Sequence, residues 1–157
     1  MQPNLSKVKE TAAWLVKAHE DLETAKIIFS ADRATQWHQV LFHCQQAVEK
    51  TMKGFLLWHN TKFRWTHDLV ELGAQCAAID PSLSEDVGRV EGLTDYAWEF
   101  RYPGEDPEPT KPEAKRAIAS AEKFSRVMLE HLPLDTHPTG SFSKKKKKGG
   151  VPSRKRK

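Results

Sequence analysis

Apolar residues recur along this chain at spacings of three and four, and strand-like alternation appears nowhere, so the hydrophobic pattern is that of helices. Val8, Thr11, Leu15, Ala18, Leu22, Ala25 and Phe29 share one stripe and predict a first helix from about Ser6 to Ser30. The short connection Ser30-Ala-Asp-Arg-Ala makes the next helix an antiparallel neighbour. That second helix runs to about His59, with Trp37, Leu41, Cys44, Val48, Met52 and Phe55 on its apolar stripe. Asn60 to Trp65 reads as a loop. Thr66 can cap a third helix, from about His67 to Ile79, which carries Leu69, Leu72, Cys76 and Ile79 and stops at Asp80-Pro81. Ser84 can cap a fourth that turns Val87, Val90 and Ala97 inward. Pro103, Pro107, Pro109 and Pro112 then forbid helix across a loop of about a dozen residues. A fifth helix begins near Lys111 and buries Ala114, Ala117, Ile118, Ala121, Phe124, Met128 and Leu132. The expected fold is all-α, a five-helix up-and-down bundle over residues 1–132.

The second helix, WHQVLFHCQQAVEKTMKGFLLW, carries a second pattern. His43, Gln46, Lys50 and Lys53 gather opposite the apolar stripe, flanked by Phe42 and Leu57. A helix of an isolated bundle would fill that side with solvated Glu and Lys. An imidazole, an amide and two ammonium groups suit either an anion held between helices or the edge of an interface, with the Lys stems covering apolar surface.

Charge changes the picture at the C-terminus. The formal net charge is +4 and the pI about 9.1, but residues 144–157 hold nine of the 25 bases and none of the 21 acids. Residues 1–143 therefore carry 16 bases against 21 acids, net −5. Lys144, Lys145, Lys146, Lys147, Lys148, Arg154, Lys155, Arg156 and Lys157 repel one another, so residues 133–157 are expected to be a disordered Pro/Gly/Ser/Lys-rich tail. Such a tail binds nucleic acid or any polyanion by counterion release. No apolar run reaches the roughly 18 residues a membrane span needs, and the N-terminus lacks a signal-peptide pattern. Cys44 and Cys76 fall on apolar helix faces, as reduced core thiols do. These features lead to the expectation of a soluble cytoplasmic protein with no membrane contact.

Metal chemistry finds no footing in the sequence. His43 and Cys44 are adjacent and point to different faces, and His59 and His67 have no Cys or carboxylate cluster at ligand spacing. No glycine-rich phosphate loop is present, and no cofactor is expected. His67 lies near a helix start, where free N–H groups favour an anion; Asp68 in that turn can equally serve the helix itself. Arg101 and Tyr102 lie in the Pro-rich loop, where Arg101 can pair with Glu99 or Glu105, or reach a phosphate or a partner.

Several segments, taken in order, resemble one family. FHCQQAVEKTMKGFL is similar to the second helix of HEPN domains, AHEDLETAKIIF (18–29) to the first, THDLVELG (66–73) to the start of the third, and YAWEFRYPGE (96–105) to the end of the fourth and its following loop. The resemblance covers roughly residues 5–132. It implies a helical bundle of the kind often encoded beside minimal nucleotidyltransferases in prokaryotes. HEPN ribonucleases carry an Arg followed four to six residues later by His on a late helix, with two such motifs meeting across a homodimer. Here Arg101 is followed by Tyr102, Pro103, Gly104, Glu105 and Asp106, and the next His is His131. Arg33 and His38 have the spacing, but at the junction of the first two helices. The resemblance therefore implies a non-catalytic HEPN protein acting with a nucleotidyltransferase partner, in a toxin–antitoxin-like or nucleotide- or RNA-binding role, and the apolar Phe42 and Leu57 on both faces of the second helix lead to the expectation of a homodimer whose symmetric contact covers them. The alternatives are a metal-independent HEPN ribonuclease toxin and a protein that associates with RNA or DNA through its tail.

Overall fold

In the computed structural model, residues 4–99, 102–104 and 107–139 are described. Among them the chain forms helices α1 (Leu5–Ser30), α2 (Trp37–Trp58), α3 (Leu69–Ile79), α4 (Ser84–Val90), α5 (Leu93–Glu99) and α6 (Lys111–Glu130), with short 3-10 turns at Ala34–Gln36, Pro81–Leu83 and Leu134–Thr136. The expected fourth helix is broken at Glu91–Gly92 into α4 and α5. Counted as one broken helix, it leaves the five-helix bundle intact. The side chain of Ala97 lies outside the described residues.

Helix α1 begins at Asn4, whose side chain accepts a hydrogen bond from the Ser6 amide. It ends in a turn where Asp32 takes a left-handed conformation (φ 52°). The Asp32 carboxylate is held at 2.8 Å by Lys111, whose ammonium also stands over the rings of Phe29 and Trp37. The α1–α2 turn is thereby tied to the start of α6. Leu15 lies against Gly54, Asp21 against Lys50, and Phe29 against Trp37, so the two helices run antiparallel. The approach is close: a Cβ at Gly54 would meet Leu15 at 3.2 Å and Trp14 at 3.3 Å.

Helix α2 is the centre of the bundle and packs against α1, α3, α5 and α6. Fourteen of its 22 residues are buried, so it meets protein on nearly every side. The expected stripe, Trp37 to Phe55, is wholly buried. The helix closes with a Schellman turn: Asn60 is left-handed (φ 54°), the Thr61 amide donates to Leu56 O (2.9 Å) and the Asn60 amide to Leu57 O (3.0 Å).

Of the two Thr/Ser caps expected, neither forms, and the α3 cap falls to the other candidate of its turn. Asp68, not Thr66, caps α3, because its carboxylate reaches the Val70 amide while Thr66 bonds only the Asp68 amide. Ser84 is the first residue of α4 rather than its cap, and its hydroxyl donates to Pro81 O. Helix α6 opens with a full capping box between Thr110 and Glu113. The packed chain also continues beyond the expected boundary at Leu132. Leu134–Thr136 turns back against α1, and Thr136 and Pro138 are buried. Residues 140–157, which hold all nine basic tail positions, lie outside the described residues. Among those described, no helix is long and apolar enough to cross a membrane.

Candidate functional site

The polar side of α2 is organised by two carboxylates. Asp21 projects from α1 toward two residues seven apart on α2. Its Oδ1 lies 2.9 Å from His43 Nδ1, and its Oδ2 accepts a hydrogen bond from the Lys50 ammonium. Burial pushes the Asp21 carboxyl up, but the hydrogen bonds from His43 and Lys50, and their charge, outweigh burial and leave its pKa below the ordinary value.

Glu49 is the second centre, and it is only 3% exposed. Its Oε1 accepts from Lys53 Nζ at 2.7 Å; its Oε2 accepts from Gln45 at 3.1 Å and Gln46 at 3.3 Å, and lies 3.0 Å from His67 Nδ1. An ionised carboxylate only accepts, so the His67 nitrogen facing it is the donor. Gln45 uses its second N–H on the His67 carbonyl (3.0 Å), and its oxygen accepts from Gln46 (2.8 Å). The buried amides are thus satisfied inside one connected network. Lys53, 1% exposed, sits under three aromatic rings: Trp65 at 5.2 Å, Trp14 at 5.7 Å and Phe63 at 5.8 Å from its nitrogen. Phe63 and Trp65 belong to the α2–α3 loop. That loop is held down by His67 on Glu49, by the two-pronged Arg64–Glu71 pair, and by Gln75 on the Lys62 carbonyl.

The residues singled out from α2 therefore divide between two centres: His43 and Lys50 on Asp21; Gln46 and Lys53, with His67, on Glu49. Two carboxylates meet two ammonium groups, so the network balances its own charge. His67 also lies against Trp98 of α5 with the rings tilted (4.9 Å), and Trp98 meets Phe42 edge-on at 5.8 Å. Phe42 is thus partly covered from within the chain. Asp21, Glu49, Gln45 and Trp14 went unrecognised in the sequence. Glu49 had a signal, since Gln45, Glu49 and Lys53 recur at spacing four on one helix. Asp21 had none, because the antiparallel pairing of the first two helices was legible but the register and rotation that set Asp21 opposite His43 and Lys50 were not.

The remaining candidates stand elsewhere. Arg33 is exposed ahead of the 3-10 turn, and His38, in the first turn of α2, has its Nδ1 3.4 Å from Glu108. Tyr102 is 71% exposed, and Arg101 lies outside the described residues. Among the described residues no three His, Cys, Asp or Glu side chains converge as a metal site. Cys44 and Cys76 are buried and unpaired with each other, and burial pushes each thiol up to about 12, Glu122 adding to the effect at Cys44. Beside the network, between α1 and α2, lies an open groove of about 430 Å³ lined by Glu10, Ala13, Trp14, Lys17, Lys50 and Leu57.

A family model for the HEPN domain matches residues 11–132. The fold is similar to the crystal structure of TT1696 from Thermus thermophilus, with a TM-score of 0.61 and 25% sequence identity over 78% of this chain and 98% of that one. No curated protein matches the sequence significantly. With the family pattern extending over most of the chain and the helical order in place, the protein belongs to the HEPN domain family.

Proposed function

We propose that this is a non-catalytic HEPN protein that acts as a homodimer together with a minimal nucleotidyltransferase partner, and that its contribution is a binding surface rather than bond-breaking chemistry. The observation that carries this reading is the closure of the α2 polar face on Asp21 and Glu49. Ammonium groups already paired inside the chain have little charge left for a phosphate, and Lys53 is out of reach of solvent. What α1 and α2 leave open beside them is the groove of Ala13, Trp14 and Leu57, an apolar floor with charged ends. The sequence supports the same reading, since no His follows Arg101 at the family's ribonuclease spacing.

Co-expression with a minimal nucleotidyltransferase from the same genome is the test. A stable complex on gel filtration, with no RNA cleavage by the purified protein, is the expected result. Cleavage of RNA that disappears in Arg33→Ala and His38→Ala variants would instead establish the ribonuclease reading.

A further inference from the structure

Helix α1 presents Glu10, Ala13 and Lys17 to solvent on one side, with Trp14 half-buried beside them. These four residues form one wall of the groove; Leu57 and the stem of Lys50 form the other. The centre of this wall is small and apolar at Ala13, and broad and aromatic at Trp14. Trp14 is in ring contact with Phe63 and Trp65, with centroids at 6.1 and 6.3 Å. Glu10 stands one turn before the centre and Lys17 one turn after it. Their own contacts are local and exposed: Glu10 accepts from the Ser6 hydroxyl, and Lys17 pairs with Glu20 at 3.1 Å. Exposed pairs of this kind contribute little and are readily exchanged.

The geometry points to a second copy of this chain as the occupant of the groove, seated with its α1 antiparallel to this one about a two-fold axis passing beside Ala13 and Trp14. Glu10 and Lys17 lie three and a half residues either side of that point. A two-fold rotation there brings Glu10 of each copy to Lys17 of the other, and both pairs form at once. Ala13 lets the helices approach at the short end of the usual interaxial range of about 8–10 Å, and Trp14 supplies the central aromatic anchor that dominates such contacts. Charges of opposite sign at equal distances from an apolar centre are self-complementary in this arrangement. This assignment rests on the homodimer in the proposed function and gives it a location.

Sedimentation of the full chain at micromolar concentration and low salt tests it. Lys17→Glu and Glu10→Lys should each weaken the dimer about tenfold, because symmetry counts each like-charge contact twice. The double variant Glu10→Lys/Lys17→Glu should recover the wild-type constant to within about threefold, since it rebuilds both pairs with signs exchanged. Far-ultraviolet circular dichroism should be unchanged in all three. A dimer indifferent to both single reversals, or a double variant no tighter than the singles, would overturn this interface while leaving the homodimer standing. A chain that stays monomeric would overturn both. Reversals that spare the dimer but abolish the nucleotidyltransferase complex would give the groove to that partner instead.

Discussion

Glu49 and Lys53 form an ion pair almost wholly removed from water, and their supports are unequal. Lys53 has Glu49 as its close anionic partner, together with the faces of three aromatic rings. Glu49 has Gln45, Gln46 and His67 as well. Breaking a buried pair from one side costs about 3–5 kcal/mol when the survivor is left charged and uncompensated. Glu49→Gln should therefore lower the unfolding free energy by about that amount. Lys53→Met should cost less, because Glu49 keeps three donors and a methionine fills the space under the rings. Urea denaturation of the two variants reads this directly. A Lys53→Met loss equal to or larger than that of Glu49→Gln would mean the network does not support Glu49 as described.

At the scale of elements, two glycines in neighbouring helices have opposite surroundings. A Cβ at Gly73 of α3 would lie 2.4 Å from Val87 Cγ1 of α4, so the two helices meet across a bare backbone. Gly88 of α4 has open space where its Cβ would be. Gly73→Ala must push α4 away, and the overpacking cost of about 1–3 kcal/mol exceeds the roughly 1 kcal/mol of helix propensity it gains. Gly88→Ala gains the propensity without the clash, about 0.5–1 kcal/mol. Thermal unfolding should show Tm falling for the first and rising for the second. A rise for both would show that the α3–α4 contact has room to spare. The α6 start illustrates a different point. Thr110-x-x-Glu113 spells its capping box in the sequence, whereas the cap of α3 moved from Thr66 to Asp68 because two nearby residues could each serve and tertiary packing fixed the first turn at Leu69. There the Leu69 amide is held by Thr94 of α5.

For the whole molecule, the Asp21 bridge joins the two longest helices, and its energy depends on pH. The Asp21 carboxyl has a folded pKa below its unfolded value of about 3.8, despite burial, because His43 and Lys50 hold the charged form. A depressed carboxyl pKa gives stability that is fully present above the unfolded value and is lost as pH falls through the folded one. Asp21→Asn should thus cost about 1.5–3 kcal/mol near neutrality, the scale of a hydrogen bond to a charged group. The gap between wild type and variant should close as pH drops below about 3.8. Denaturant titrations at pH 7 and pH 3 measure both gaps. A gap that is unchanged at pH 3 would place the stabilising effect of Asp21 in packing rather than in charge.

The helices, their order and the family were legible in the sequence. Apolar residues at spacings of three and four fix which face of a helix must leave water, and that requirement acts within each segment. Leu15, Leu22, Val48, Met52, Phe124 and Met128 went where their periodicity sent them. The polar side of α2 was legible as unusual, but its partners were not. A charged side chain finds its counter-ion through space, and Asp21 is 29 residues from Lys50. Lys53 read as part of a face for an anion or an interface edge and is buried, because its ammonium is neutralised by Glu49 one turn away and roofed by Trp14 and by rings from a loop with no periodicity to announce them. Likewise Leu134–Thr136 returned to α1 with no apolar pattern of its own. Local spacing determined the elements; only the tertiary structure decided which charges meet and which surface stays open, because those outcomes depend on distances the chain acquires on folding.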